Sequence, residues 1–160
     1  MGRFQIDQPQ IIRIVAQKAA VIHIITPREN IRSVMGAGYR ELMEAISKQG
    51  IQPTGPWYTH QFQTVPDLFD FEIGVPLSSD ISPEGRVVAS ETPGTTLVRT
   101  IYHGDYERMG DAWAEFDNWV AVNGYKPADD FYETYLIGPE ATTDPDQWQT
   151  ELSRPLSNNE

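Results

Sequence analysis

The chain has 160 residues, and its 39% hydrophobic content is enough for a packed core at that length. It contains no cysteine, which removes disulfides, thiolate metal sites and cysteine nucleophiles together. A net charge of −11 opposes contact with a phosphate backbone, and no apolar run reaches the length of a membrane span, so neither direct nucleic-acid binding nor a membrane partner is expected.

Residues 1–8 read as a loose arm. IIRIVA (11–16) and AVIHIIT (20–26) are β-branched runs separated by the polar Gln17–Lys18, which predicts a hairpin. A helix is expected from Asn30, or from the cap-like Thr26-Pro27-Arg28-Glu29. Ile31, Met35, Leu42 and Ile46 lie on one stripe with Gly38 and Tyr39, and Gly50 and Pro53 end the helix. WYTHQFQ (57–63) and LFDFEIGVPL (68–77) alternate as two strands joined through Pro66–Asp67. The polar connector 78–85 leads to a second expected hairpin, RVVASE (86–91) and TTLVRTIY (95–102), turning at Thr92-Pro93-Gly94. Asp105 caps a second helix with an apolar stripe of Met109, Trp113, Phe116 and Val120, stopped by Asn123–Gly124 and Pro127. FYETYLI (131–137) and WQTELSRPL (148–156) are the last strands, joined by loop 138–147, and the tail 157–160 is expected to fray.

The first half maps onto the second. Met35, Gly36, Glu41, Gly50 and Pro53 correspond to Met109, Gly110, Glu115, Gly124 and Pro127, while Tyr39, Leu42 and Tyr58 correspond to Trp113, Phe116 and Tyr132. After a longer loop, Glu72, Pro76 and Leu77 correspond to Glu151, Pro155 and Leu156. Glycine early in a helix costs up to about 1 kcal/mol relative to alanine, so Gly36 and Gly110 predict close backbone approach. The expected fold is α+β, one domain over residues 1–160. It is built from two strand–strand–helix–strand–strand halves, 11–77 and 86–156, whose apolar faces pair about a pseudo-twofold axis with a cleft on it.

Glu133 is the residue that departs from its surroundings. A strand glutamate ordinarily faces water, yet alternation gives this one Phe131, Tyr135 and Ile137 as face-mates. Aromatic walls strip hydration from a carboxylate and raise its pKa. An amphipathic cation would restore charge pairing and stack on the rings. Trp57 corresponds to Phe131, and Tyr102, Tyr106 and Trp113 flank the second helix. Tyr106 and Trp113 each offer a polar edge to a ligand or to Glu133, whereas Met109 and Phe116 read as core. Trp119 is expected at the helix flank and Trp148 under the last strand. Asp70 and Glu72 belong to a polar strand face. His23 reads as a core histidine and His103 as a rim residue. With His60 they have no ligand spacing, so no metal is expected. No G-x-S-x-G, Walker or dinucleotide glycine motif is present, and no cofactor is expected.

The motifs Y-H-G-D-Y-E-R-M-G-D-A-W (102–113), N-G-Y-K-P (123–127), E-T-Y-L (133–136) and D-P-D-Q-W-Q-T-E-L (144–152) resemble the GyrI-like small-molecule-binding domain. This is the effector-binding module of AraC- and MerR-type multidrug regulators. The resemblance is specific over 95–156 and weaker over 1–78. It implies a duplicated α+β fold with antiparallel strands around a central aromatic-lined pocket. It also places the family's binding glutamate, in an E-x-Y setting, at Glu133, with Tyr135 on the same face. No helix-turn-helix fits beside that fold, and no secretory leader opens the chain, so a stand-alone cytoplasmic member is expected.

Stand-alone members resemble three things. The leading reading is binding of hydrophobic, chiefly cationic, small molecules for drug or toxin sensing or sequestration, by Glu133, Tyr135, Phe131, Trp57, Tyr102, Tyr106 and Trp113. The alternative is a hydrolase of strained cyclopropanoid electrophiles, with Glu133 as general base on water and Tyr135, Tyr106 or Trp113 steadying the leaving group. The third is a gyrase-inhibitor-like module that meets a protein partner through its acidic exterior.

Overall fold

A computed structural model describes residues 5–65 and 67–157. Residues 1–4 of the expected arm, Pro66 of the expected turn and residues 158–160 of the expected frayed tail lie outside the described residues. In chain order the elements are β1 (Gln5–Ile6), β2 (Gln10–Ile14), β3 (Gln17–Pro27), α1 (Ile31–Lys48), β4 (Tyr58–Val65), β5 (Leu68–Pro76), β6 (Val88–Thr92), β7 (Thr95–His103), α2 (Met109–Val122), β8 (Phe131–Ile137) and β9 (Gln149–Pro155). The fold is thus α+β, with antiparallel strand pairs and two helices. No helix among the described residues is long and apolar enough to cross a membrane. The chain divides into two compact units, Val15–Gly94 and the residues up to Ile14 with those from Thr95 onward.

In Val15–Gly94 the strands run in the order β4–β5–β3–β6, all antiparallel. Alternation sends Ala20, Ile22 and Ile24 to one face with Phe71, Ile73 and Val75, where they form one core with Leu42, Ala45 and Ile46 of α1. The close approach expected at Gly36 and Gly110 occurs instead at Gly38. A Cβ there would stand 2.7 Å from Ile73 Cδ1, whereas at Gly36 it would meet only Arg40 Nη1 at 3.7 Å and at Gly110 nothing within 4 Å. The reason is helical phase: Gly38 shares the buried stripe with Leu42 and Ala45, and the other two glycines do not.

In the other unit the order is β8–β9–β7, with β1 and β2 both along the remaining edge of β7. Its core joins Val98, Tyr102 and Leu152 of the sheet to Met109, Ala112, Phe116 and Val120 of α2. A short turn, Tyr106–Arg108, leads into α2, and the Asp105 carboxylate accepts the Arg108 N–H at 3.2 Å. That is the expected cap.

The N-terminal arm is not loose where it is described. Gln5 and Ile6 pair with His103 and Tyr102, and the Asp7 N–H donates to Ile101 O at 3.0 Å. Thr100 Oγ1 donates to Asp7 O at 2.6 Å, and Asp7 Oδ1 lies 2.9 Å from His103 Nε2. His103 is therefore engaged with the arm, not with a ligand rim.

Neither expected hairpin forms. β2 pairs with β7 (Gln10 opposite Arg99 through Ile14 opposite Thr95), and β6 pairs with β3 (Gln17 opposite Thr92 through Val21 opposite Val88). Two-residue hairpin turns need positive φ, which favours Gly, Asn or Asp. The link between β2 and β3 is Val15–Ala16, and no non-glycine residue has positive φ among those described. Gly94 is not among the positive-φ glycines either, so Pro93–Gly94 lacks the conformation a type II turn requires. Each unit consequently takes its outer strand from the other half of the sequence, and the two arrive at the same order: β6–β3–β5–β4 and β2–β7–β9–β8.

Candidate ligand-binding site

Residues opposite one another on antiparallel strands point to the same face. Glu133 lies opposite Leu152, a member of the α2-facing core, so its side chain is directed to the helix side of the sheet. Tyr135 follows opposite Thr150. A bulge then intervenes, because the next pair is Ile137 with Gln149, and it turns Ile137 to the opposite face. The expectation that Ile137 shares a wall with Glu133 is corrected by that one extra residue.

The Glu133 carboxylate is held by two donors. Trp113 Nε1–H donates to Oε2 at 2.7 Å and Tyr135 O–H donates to Oε1 at 2.9 Å. Among the described residues no cation pairs with it. Burial raises its pKa above the ordinary glutamate range, and the hydrogen bonds from Trp113 and Tyr135 oppose that rise without cancelling it. The nearby guanidinium of Arg154 lies 5.7 Å from the centre of the Phe131 ring, but its charge is committed to Asp117, with Nη1 donating to Oδ1 at 3.0 Å, and Nη2 donates to Ala128 O at 2.7 Å.

The carboxylate joins two groups of rings. Trp113 meets Phe131 edge to face at 4.7 Å between centroids, and Tyr106 meets Tyr135 at 6.2 Å and Trp148 at 5.0 Å. Glu133, Trp113, Phe131, Tyr106 and Trp148 are each half-buried, so none of them is sealed in the core. Burial, then Glu140 and Glu133, push the Tyr106 phenol up to about 12, which keeps it a neutral donor.

Five of the seven expected binding residues are thus linked in one chain of contacts, Phe131–Trp113–Glu133–Tyr135–Tyr106. Tyr102 is drawn into the core: it is 1% exposed, and its hydroxyl donates to Asp105 O at 2.7 Å, bracing the turn before α2. Trp57 belongs to the Val15–Gly94 unit, where its ring lies 4.7 Å from Tyr39. Trp148, expected under the last strand, instead lies against Tyr106. The readable signal is Asp144-Pro145-Asp146-Gln147: Asp144 Oδ1 accepts the Asp146 N–H at 3.1 Å, and the short turn Pro145–Gln147 delivers Trp148. Trp119 does sit at the helix flank, stacked on Tyr125.

His23 is not a core residue. Its side chain is 53% exposed and bonds Asp70 at 2.6 Å on the polar face that also carries Glu72. No group of potential metal ligands occurs among the described residues. A groove of about 300 Å³ lies between residues 6–9 and the outer flank of α2, and one of about 480 Å³ along α1; neither is lined by Glu133.

The profile described as GyrI-like small molecule binding domain matches residues 7–157. The chain belongs to the GyrI-like family. No curated protein sequence matches it. Among solved structures, the EcmrR C-terminal domain superposes with a TM-score of 0.82 at 22% identity, covering 95% of this chain and 98% of that one. The EcmrR–DNA complex gives 0.83 at 22% identity over 95% of this chain, which spans 58% of the length of the EcmrR chain. A hydrolase encoded by lin2189 from Listeria innocua gives 0.65 at 14% identity, with 94% and 92% of the two chains covered. SAV2435 bound to tetraphenylphosphonium gives 0.68 at 10% identity, with 95% of each chain covered. At these identities the likeness is one of fold. A GyrI-like domain takes a small molecule as its partner, in keeping with the leading expectation.

Proposed function

We propose that this GyrI-like domain binds hydrophobic organic cations at the Glu133 cluster, with Trp113, Phe131, Tyr135, Tyr106 and Trp148 as the surrounding rings. The observation that carries the reading is a carboxylate held by two neutral donors, enclosed by aromatics and facing no cation of its own. A half-buried acid of that kind is under-compensated. A lipophilic cation supplies the missing charge and stacks on the rings, while a neutral molecule of the same shape gains only the stacking. The likeness in fold to SAV2435, a protein solved with tetraphenylphosphonium, supports the same class of ligand. The matching strand orders of the two units support duplicated halves, 11–77 and 86–156, as part of this reading.

Glu133→Gln tests it, because it keeps the shape and removes the charge. Removing one member of a desolvated charge pair costs about 2 kcal/mol or more, roughly thirtyfold in affinity. A cationic dye followed by fluorescence titration is expected to weaken by that factor, and a neutral dye of equal size to be nearly unchanged. Equal behaviour of both dyes in Glu133→Gln and wild type overturns the proposal.

A hydrolytic reading draws on the Tyr135–Glu133 hydrogen bond and the likeness in fold to the lin2189 hydrolase. A carboxylate of raised pKa can accept a proton from water while the Tyr135 hydroxyl donates to a departing group. In that case Glu133→Gln abolishes turnover of a cyclopropanoid substrate and leaves its binding nearly intact.

A further inference from the structure

Gly138 follows directly on β8, and two polar groups converge over it. A Cβ at this position would stand 2.9 Å from the Tyr106 hydroxyl and 3.1 Å from Glu140 Oε1. The turn that carries Glu140 is closed from both following residues, with the N–H groups of Ala141 and Thr142 donating to Gly138 O at 2.9 and 3.2 Å. The same turn pins Trp148, whose Nε1–H donates to Thr142 O at 2.9 Å and whose ring lies 5.0 Å from Tyr106. One small loop therefore carries an exposed carboxylate and an indole, with Tyr106 beside both. Glu140 is exposed and has no basic partner among the described residues.

Tyr106 connects this group to the first. Its ring meets Tyr135, which donates to Glu133, and its hydroxyl lies beside Glu140. Two carboxylates, each beside aromatic rings, are thus linked through Tyr106 and Tyr135, with Glu133 half-buried and Glu140 exposed. We propose that Glu140, with Tyr106 and Trp148, forms an outer cation subsite, so that the domain selects elongated organic dications over monocations with the same body. This rests on the Glu133 reading of the inner site. A monocation neutralises one acid and leaves the other in water; a dication long enough to reach past Tyr106 pairs with both. Glu140 is exposed, so its contribution has the size of a screened surface pair, a few-fold in affinity, and it fades with salt.

The test uses the full chain, with 1,10-bis(trimethylammonium)decane as the dication and decyltrimethylammonium as the monocation, titrated calorimetrically. At low salt the dication is expected to bind about fivefold tighter, beyond the twofold statistical advantage of its two ends. Glu140→Gln should reduce that preference to the statistical factor without changing the monocation. Salt at about 1 M, where the screening length is near 3 Å, should do the same. Glu133→Gln should weaken both ligands. If Glu140→Gln weakens both ligands equally or neither, while Glu133→Gln weakens both, the outer subsite is refuted and the inner site stands. If Glu133→Gln changes neither ligand, or if neither ligand binds the wild type, the inner reading fails and the outer one with it.

Discussion

Trp113→Phe isolates one hydrogen bond of the site. The substitution retains an aromatic ring against Phe131 and removes the N–H that reaches Glu133 Oε2 at 2.7 Å. A hydrogen bond to a charged group contributes about 1 kcal/mol more than one to a neutral group, so losing it destabilises the ionised carboxylate more than the neutral acid, and the Glu133 pKa should rise. Burial already holds that pKa above the ordinary glutamate value, and losing the Trp113 bond moves it further the same way. The sign for stability follows. Below both folded-state pKa values the acid is neutral in either protein, and the two differ by the packing lost from indole to phenyl and by the weaker hydrogen bond that the indole donates to a neutral carboxyl. As pH rises through the wild-type pKa toward that of the variant, the stability gap widens by about 1 kcal/mol and then levels off. The carboxyl carbon of Glu133, followed by NMR across a pH series and assigned through Glu133→Gln, reads the pKa directly. Urea unfolding at acid and neutral pH reads the gap. A titration unchanged by Trp113→Phe would refute the claim that the indole N–H stabilises the ionised carboxylate.

Two glycines should respond in opposite directions. Gly110→Ala finds no atom within 4 Å of its new Cβ and should stabilise by about 0.5–1 kcal/mol through helix propensity, whereas Gly38→Ala meets Ile73 Cδ1 at 2.7 Å and should destabilise by about 1–3 kcal/mol, both read by urea unfolding. Cation affinity should fall on acidification, starting above the ordinary glutamate range because the Glu133 pKa is raised, while neutral-dye affinity stays flat; dye titrations between about pH 4 and pH 8 check this.

Much of the site was legible in one strand. FYETYLI coincides with β8, and an acid alternating with Phe131 and Tyr135 marked Glu133 as enclosed. What alternation could not carry was the bulge between Tyr135 and Ile137, since an inserted residue leaves no period of its own. Nor could it supply Trp148 or Glu140. Both are placed by loop hydrogen bonds to Thr142 and Gly138, which have no periodic trace. The helices were found because their stripes are long, and the two glycines were misread because early position was weighed instead of phase. Strand existence was readable, whereas pairing was not. A β-branched run looks the same whether its partner is the next strand or a distant one, and only the chemistry of Val15–Ala16 argued against a local turn.

That distant pairing governs how the chain can be made. The unit Val15–Gly94 is one continuous stretch, so all its strands are available once residue 94 has left the ribosome. β2 has to wait longer: Ile11 pairs with Val98 and Ile12 with Leu97, in a strand synthesised only after that entire unit. Until then the segment Gln10–Ile14 is an unpartnered, β-prone edge of the nascent chain, with Arg13 as its one charge. A ribosome stalled just short of β7 would therefore expose Gln10–Ile14 as a sticky strand with nowhere to dock.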